Sequence, residues 1–171
     1  MPISAERLPE ALNVWEKFVH GSSPDPLVQL AVVHAEFEAL HPFLDGNGRL
    51  GRMSVTLFMF QKGLIQSPMF YISAFFEQNR DEYYERLLAI SRDSDWSGWC
   101  KFFLRAVTEQ ASENQRKAIE ILNLYENKKS EVIKLLHSQY SIHALDFIFE
   151  RPIFKSSDFT HTGGIPTPSA K

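Results

Sequence analysis

Two stretches of apolar residues with helical spacing lie on either side of a short glycine-containing turn. Before the turn, the residues that recur at intervals of three or four are Leu27, Leu30, Ala31, His34, Phe37 and His41. After it, the same spacing joins Leu50, Met53, Leu57 and Phe60. One face of an α-helix repeats every ~3.6 residues, so the pattern predicts a helix on each side. The segment Gly46-Asn47-Gly48 is therefore expected to open the second helix.

The start of this second helix is cationic. Arg49 and Arg52 lie three residues apart within its first turns. Cations at a helix N-terminus oppose the macrodipole and each other, by a few tenths to about 1 kcal/mol apiece. The unpaired backbone N–H groups of the same turn can cradle an anion. Because bound phosphate would make the cationic placement favourable, the combination predicts a phosphorylated ligand at the turn.

Two further residues beside the turn can carry chemistry. His41 is predicted to stand at the end of the first helix, because Pro42 biases the preceding residue away from the helical conformation. A histidine in that position can accept a proton from a hydroxyl nucleophile at neutral pH. Asp45 offers a hard oxygen ligand for Mg²⁺ carried in with the phosphates.

Other interpretations of the same residues are less favourable. His34, on the apolar helix face, is interpreted as a structural residue. Asn47-Gly48 could form a hairpin turn, but the flanking spacing is helical and does not alternate. A calcium loop beginning at Asp45 would need glycine at its sixth position and glutamate at its twelfth, where the chain has Leu50 and Thr56. Calcium binding is therefore rejected.

Composition sets the broad class. The chain has 171 residues, of which 44% are hydrophobic and 23% charged, which suits one globular core. A formal net charge of −3 gives no basic footprint for nonspecific binding to nucleic acid or anionic membrane. Cys100 alone cannot form an internal disulfide. With no apolar stretch long enough for a membrane span and a charged N-terminal stretch, the protein is expected to be soluble and cytoplasmic.

Helical patterns cover nearly the whole chain, so the expected fold class is all-α. The predicted helices span about 9–20, 26–40, 48–62, 73–78, 80–91, 96–137 and 142–150. A polar stretch at 112–115 predicts that the segment from 96 to 137 forms two helices or one bent helix. The predicted domains are a core of residues 1–138 and a C-terminal segment of residues 139–171.

The twelve residues His41-Pro42-Phe43-Leu44-Asp45-Gly46-Asn47-Gly48-Arg49-Leu50-Gly51-Arg52 resemble the defining pattern of the Fic/Doc family. That pattern is His-x-Phe-x-(Asp/Glu)-Gly-Asn-Gly-(Lys/Arg)-x-x-Arg, and every specified position is matched. Similarity extends outward over roughly residues 8–110. The resemblance implies a Fic-type helical bundle in which the motif loop lies between two core helices, followed by a short C-terminal helical appendage.

The resemblance also implies roles for single residues. His41 would be the general base, Asp45 would hold Mg²⁺, and Arg49 and Arg52 would bind the outer phosphates of the nucleotide.

The remaining motif positions would shape the loop. The turn Gly46-Asn47-Gly48 would form the anion-binding nest, with the Asn47 side chain donating to the α-phosphate. Phe43 would be the buried anchor of the loop. Tyr83 and Tyr84 match a tyrosine pair that lies near the base and ribose in relatives, although both rings could equally belong to the core.

The activity implied by the resemblance is that of a protein adenylyltransferase, which moves AMP from ATP onto a Ser, Thr or Tyr hydroxyl of a target protein and releases pyrophosphate. The Doc branch, which phosphorylates its target, carries lysine at the position of Gly48, so nucleotidyl transfer is favoured here. A non-catalytic nucleotide-binding fragment, or a regulatory or interaction domain, is the alternative.

Features outside the motif bear on partners. The segment beyond about residue 140 resembles the opening of a winged-helix module, whose recognition helix would begin at Thr167 or Pro168 and stop at Lys171. With no wing and few basic residues, DNA binding is not expected. Relatives carry a β-hairpin flap and often an inhibitory helix with the pattern (Ser/Thr)-x-x-x-Glu-(Gly/Asn), and neither is recognised ahead of the motif. Whether an inhibitor acts in trans stays open.

Overall fold

A computed structural model describes residues 3–161, and within that range the chain forms eight α-helices and no strands. The helices are α1 (Leu8–His20), α2 (Pro26–Leu40), α3 (Asn47–Gln61), α4 (Ser73–Gln78), α5 (Arg80–Asp93), α6 (Trp96–Leu136), α7 (Ser141–Glu150) and α8 (Ser156–His161). The predicted all-α class is confirmed. The chain divides into two compact units, Met1–Asn114 and Gln115–Lys171.

Local sequence signals account for the bounds of α2. The Asp25 carboxylate accepts hydrogen bonds from the backbone N–H groups of Leu27 at 2.9 Å and Val28 at 3.2 Å, which caps the helix. Pro26 occupies the first helical position, where its missing N–H has no consequence. The helix ends at Leu40, next to His41 and Pro42. The predicted range of 26–40 is confirmed at both ends.

Helix α6 decides between the two predicted alternatives. It runs without interruption for 41 residues, so a single helix is found and the alternative of two helices is excluded. Its polar stretch bonds along the helix: the Ser112 hydroxyl donates to the Thr108 carbonyl, and the Gln110 amide donates to Asn114 Oδ1, both at 2.9 Å. Polar side chains that find partners one turn away do not break a helix.

The core of the first unit surrounds α2. Indole N–H groups donate to two of its backbone carbonyls, from Trp99 to Ala31 at 2.8 Å and from Trp15 to Val33 at 2.9 Å. The largest fully buried side chains in this core are Trp99, Phe103, Leu30, Ile72, His34, Val33 and Val55. Because α2 is covered by aromatic side chains from α1 and α6, the position of its C-terminal end is fixed.

Helices α2 and α3 pack against each other, and Gly51 lies at their contact. A Cβ atom at Gly51 would lie 2.5 Å from Glu38 Oε1 and 3.4 Å from His34 Cε1. Only glycine therefore leaves room for these α2 side chains. Gly51, which occupies an unspecified position of the motif, is therefore required for the packing of α2 against α3.

The second unit has its own small cluster. The Tyr125 hydroxyl donates to Asp146 Oδ1 at 2.6 Å, and the Phe147 ring lies against those of Phe154 and Phe159 at centroid distances of 5.0 and 5.4 Å. The helix predicted at 142–150 is confirmed and begins one residue earlier. The recognition helix predicted at 167–171 lies outside the described residues, and the predicted domain boundary at residue 138 stays a prediction.

No helix in the described part of the chain is both long enough and apolar enough to cross a membrane.

Candidate active site

His41 ends α2, as predicted. Its backbone N–H donates to the Phe37 carbonyl at 3.1 Å, and its backbone is left-handed, with φ of 47°. Left-handed backbone is uncommon for residues other than glycine, although histidine is among the residues that adopt it more often. The side chain is exposed and makes no hydrogen bond within residues 3–161. The imidazole is therefore available to a ligand in the adjoining turn.

The turn is held by Asn47 and not by an aromatic anchor. Asn47 is 3% exposed; its Oδ1 accepts from the Phe43 N–H at 2.9 Å and its Nδ2 donates to the Phe43 carbonyl at 2.6 Å. The Phe43 ring is 51% exposed, so the expectation that it is a buried anchor is wrong. Two backbone hydrogen bonds make the ring unnecessary for closing the loop. One Nδ2 hydrogen is committed to Phe43, and donation from this side chain to an α-phosphate stays a prediction.

Helix α3 opens on glycine, and the two arginines lie over the glycine turn. Gly46, the N-cap residue, has φ of 85°, which a side chain would strain. A Cβ at Gly46 would lie 3.6 Å from Arg49 Nη2, and one at Gly48 would lie 3.0 Å from Arg52 Nη1. The first N–H groups of the helix have no intrahelical partner. Backbone donors and two guanidinium groups thus come together at one helix end, as the sequence predicted.

Asp45 lies at the exposed edge of this turn. Its Oδ2 is 3.5 Å from Arg49 Nη2, and both side chains are largely solvent-exposed, at 94% and 77%. An exposed pair of this kind contributes little to stability, about 0–1 kcal/mol. Among the described residues there is no cluster of three or more His, Cys, Asp or Glu side chains that could hold a metal. Binding of Mg²⁺ by Asp45 stays a prediction.

A cavity of about 480 Å³ joins Arg52 to the tyrosine pair. It is lined by Arg52, Ser73, Ala74, Phe76, Glu77, Arg80, Tyr83 and Tyr84. Its volume lies within the range of small-molecule sites, about 300–1,000 Å³. Neither His41 nor Asp45 is among its lining residues. The lining residues contributed by α4 were given no site role by sequence reasoning. The pattern Ser-x-x-x-Glu formed by Ser73 and Glu77 lies after the motif and was not counted as an inhibitory helix.

A second cavity of about 390 Å³ brings Arg49 and Arg52 together. Its other lining residues are mostly apolar: Met53, Thr56, Leu57, Pro68, Tyr71 and Ser73. Arg52 thus lines both cavities.

The two tyrosines differ in environment. Tyr83 is 6% exposed and packs on Phe76 with ring centroids 4.7 Å apart. Tyr84 is 56% exposed, and the Arg80 guanidinium lies 5.7 Å from its ring centre. Of the pair, Tyr84 has the face that a nucleobase could stack on, whereas Tyr83 is mainly a core residue. The nucleotide role of both stays a prediction.

His34 lies beneath the turn in a buried polar network. Its Nδ1 donates to the Gly51 carbonyl at 3.1 Å, which leaves Nε2 to accept from the Tyr83 hydroxyl at 3.0 Å. Burial lowers the pKa of His34 to about 4, opposed in part by the bond to Gly51. The interpretation of His34 as a structural residue is confirmed, because a neutral, fully buried imidazole with both nitrogens occupied holds three helices together.

Comparison with known proteins finds similarity over the first part of the chain. Residues 1–59 match the sequence model of the Fic/DOC family, a range that includes His41 to Arg52 and ends before Tyr83. The chain is 34% identical over 65 residues to protein adenylyltransferase fic-1 of Caenorhabditis elegans. That match covers 36% of this chain and only 13% of the worm protein. Over this segment the chain is similar to the Fic/DOC family.

Proposed function

We propose that this chain transfers AMP from ATP to a hydroxyl group of a target protein. The observation that carries the proposal is the meeting of His41, the free N–H groups of α3 and two guanidinium groups at one turn. The match of residues 1–59 to the family model and the similarity to the named relative support a Fic-type function in general.

The proposed chemistry follows from what each residue offers. His41 takes the proton of a Ser, Thr or Tyr hydroxyl, whose oxygen attacks the α-phosphorus. The bond from that phosphorus to the bridging oxygen breaks, and pyrophosphate leaves. Arg49 and Arg52 hold the outer phosphates, where charge-assisted hydrogen bonds are strong. The N–H groups of α3 face the charge that develops on the α-phosphate.

Mg²⁺ fits this arrangement through Asp45. Proteins often bind Mg²⁺ through one or two carboxylates plus substrate phosphates, and Asp45 is an exposed carboxylate beside the turn. When bound, the ion would neutralise phosphate charge.

The space above Gly48 supports nucleotidyl over phosphoryl transfer. Arg52 Nη1 lies 3.0 Å from the place that a Cβ at Gly48 would take, so a longer side chain would have to displace the guanidinium. With glycine, Arg52 stays over the turn, where an outer phosphate can reach it. Gly48→Lys is therefore expected to disturb the nucleotide pose proposed here.

Intact-mass analysis tests the proposal. The protein is incubated with ATP and Mg²⁺, alone and with a cell lysate, and the mass gained by the chain or by lysate proteins is compared with a His41→Ala control. Addition of AMP by the wild type above the control supports the proposal. ATP binding without any addition of AMP would contradict it and favour a nucleotide-binding fragment.

A further inference from the structure

A groove of about 520 Å³ lies between α1 and α2. It shares no lining residue with the two cavities at Arg52, and the chemistry above does not use it. Val14 and Phe18, one turn apart on α1, line it and are 64% and 44% exposed. Large apolar side chains that are exposed together in a concave surface are typical of a site that another molecule covers.

The side-chain contacts between α1 and α2 show that the two helices run antiparallel. Gln29, near the start of α2, donates to the Phe18 carbonyl near the end of α1 at 2.6 Å. Trp15, which is nearer the start of α1, donates to the Val33 carbonyl at 2.9 Å. The start of α1 therefore lies beside the end of α2.

One end of the groove consequently lies beside His41. Leu40 lines the groove and is the last residue of α2, and the exposed His41 follows it directly. On the other wall, Arg7 marks this end and Phe18 marks the far end. The distance along α1 from Arg7 to Phe18 is about 16 Å at a rise of ~1.5 Å per residue. This length accommodates about five residues of an extended chain.

Two carboxylates line the groove between its ends. Glu10 lies on the α1 wall and Glu36 on the α2 wall, one turn before Leu40. Neither side chain forms an ion pair within residues 3–161. Arg7, the cation of the groove, lies nearer the His41 end. The middle of the groove therefore attracts a basic side chain and repels an acidic one.

We propose that this groove binds the segment of the target protein that adjoins the hydroxyl group receiving AMP. This inference rests on the proposed function. The segment carries a Lys or Arg side chain opposite Glu10 and Glu36, and a large apolar side chain, farther from the hydroxyl, against Val14 and Phe18. The apolar contact supplies affinity by removing exposed surface from water, and the charges select the segment. Binding there holds the hydroxyl near His41.

Synthetic peptides provide the test. Each has about eight residues, long enough to fill the groove and to reach His41, with a Tyr acceptor, then a central Arg and a distal Phe. Matched peptides carry Glu in place of Arg, or Ala in place of Phe, and the series is repeated with the order reversed. Binding is measured without ATP, from the fluorescence anisotropy of a dye on the peptide. In one of the two orders, the peptide with Arg and Phe should bind about tenfold or more tightly than either matched peptide.

Variants locate the binding in the groove. Val14→Asp should weaken binding of the Arg and Phe peptide by about tenfold or more, because it places a charge in the apolar contact. Glu36→Gln should weaken it about three- to fivefold, and should have no effect on a peptide without Arg. With ATP and Mg²⁺, Glu36→Gln should raise the KM for this peptide by the same factor and leave the KM for ATP unchanged.

Two controls match these variants. Glu16→Gln removes an exposed carboxylate of α1 that does not line the groove, and Leu88→Asp introduces a charge at an exposed apolar residue of α5. Neither should change peptide binding. Because Val14 is exposed, Val14→Asp should keep the far-ultraviolet circular dichroism spectrum of the wild type.

The proposal is overturned if the matched peptides all bind equally, or if Val14→Asp binds them as the wild type does. It is also overturned if sedimentation equilibrium shows a dimer that Val14→Asp dissociates, because a second copy of the chain would then occupy the groove. Peptides that bind with the expected selectivity and gain no AMP would contradict the proposed function, while supporting the groove as a site for basic segments.

Discussion

His34 lies on α2 and His41 follows two turns later, at the C-terminal end of the helix, and the two side chains differ in burial and hydrogen bonding. His34 is fully buried, neutral and bonded through both ring nitrogens. His41 is exposed, stands at a left-handed helix end and has no hydrogen-bond partner within the described residues. Two histidines on the same face of one helix can therefore have different roles. The one whose ring nitrogens are both hydrogen-bonded stabilises the core, and the one whose ring nitrogens have no partner is available to a ligand.

The largest expected effect is on chemistry at the exposed histidine. His41→Ala should lower AMP transfer about 10²- to 10⁴-fold, the usual contribution of a general base. ATP affinity measured by calorimetry should stay near the wild-type value, because His41 is assigned no contact with phosphate in the ground state. Transfer at the wild-type rate would show that the base is assigned wrongly.

The buried histidine should show the converse. His34→Ala removes a packed ring and leaves the Tyr83 hydroxyl and the Gly51 carbonyl without their partner, so the free energy of unfolding should fall by about 3 kcal/mol. Urea denaturation measures the loss. His41→Ala is the matched control and should cost less than about 1 kcal/mol. Equal losses of unfolding free energy in the two variants would contradict the conclusion that His34 stabilises the core and His41 does not.

The same distinction should appear as a pH dependence of stability. Burial depresses the pKa of His34 from 6.5 to about 4, so the unfolded chain binds a proton at a higher pH than the folded one. The stability that comes from the neutral ring is therefore complete above pH 6.5 and is lost as the pH falls toward 4. The loss attributable to His34 should approach roughly 3 kcal/mol.

Because carboxylates titrate in the lower part of that range, the measurement is a difference. The free energy of unfolding is measured by urea denaturation at about pH 7.5 and about pH 4.5 for the wild type and for His34→Gln. It should depend less on pH in the variant. Parallel pH profiles would mean that His34 does not stay neutral in the folded state.

The smallest effect is expected at the exposed phosphate contact. Arg49→Ala should weaken ATP binding by about 1 kcal/mol, or roughly fivefold, because solvent screens a side chain that is 77% exposed. Adenosine without phosphates should bind the variant and the wild type equally. If both ligands lose affinity, Arg49 supports the fold of the turn instead of holding phosphate.

Much of the site was predictable because its signals are local. The cap at Asp25, the proline after His41 and the glycines of the turn act on their immediate neighbours in the chain, so they fix where α2 ends and α3 begins. The same locality explains why α6 is a single helix. Side chains in the polar stretch at 112–115 and just before it bond to partners one turn away, so the helix continues through the stretch.

The sequence by itself determined which residues make up the motif and which helices lie on either side of it, since both depend on residues a few positions apart. Only the tertiary structure decided that the Phe43 ring is exposed, that Asn47 is buried, and that Tyr83 is buried while Tyr84 is exposed. Those outcomes depend on contacts such as His34 with Gly51 and Tyr83, which join positions 17 and 49 residues apart. Burial and the pairing of charges are set by such distant neighbours, which helix periodicity does not encode.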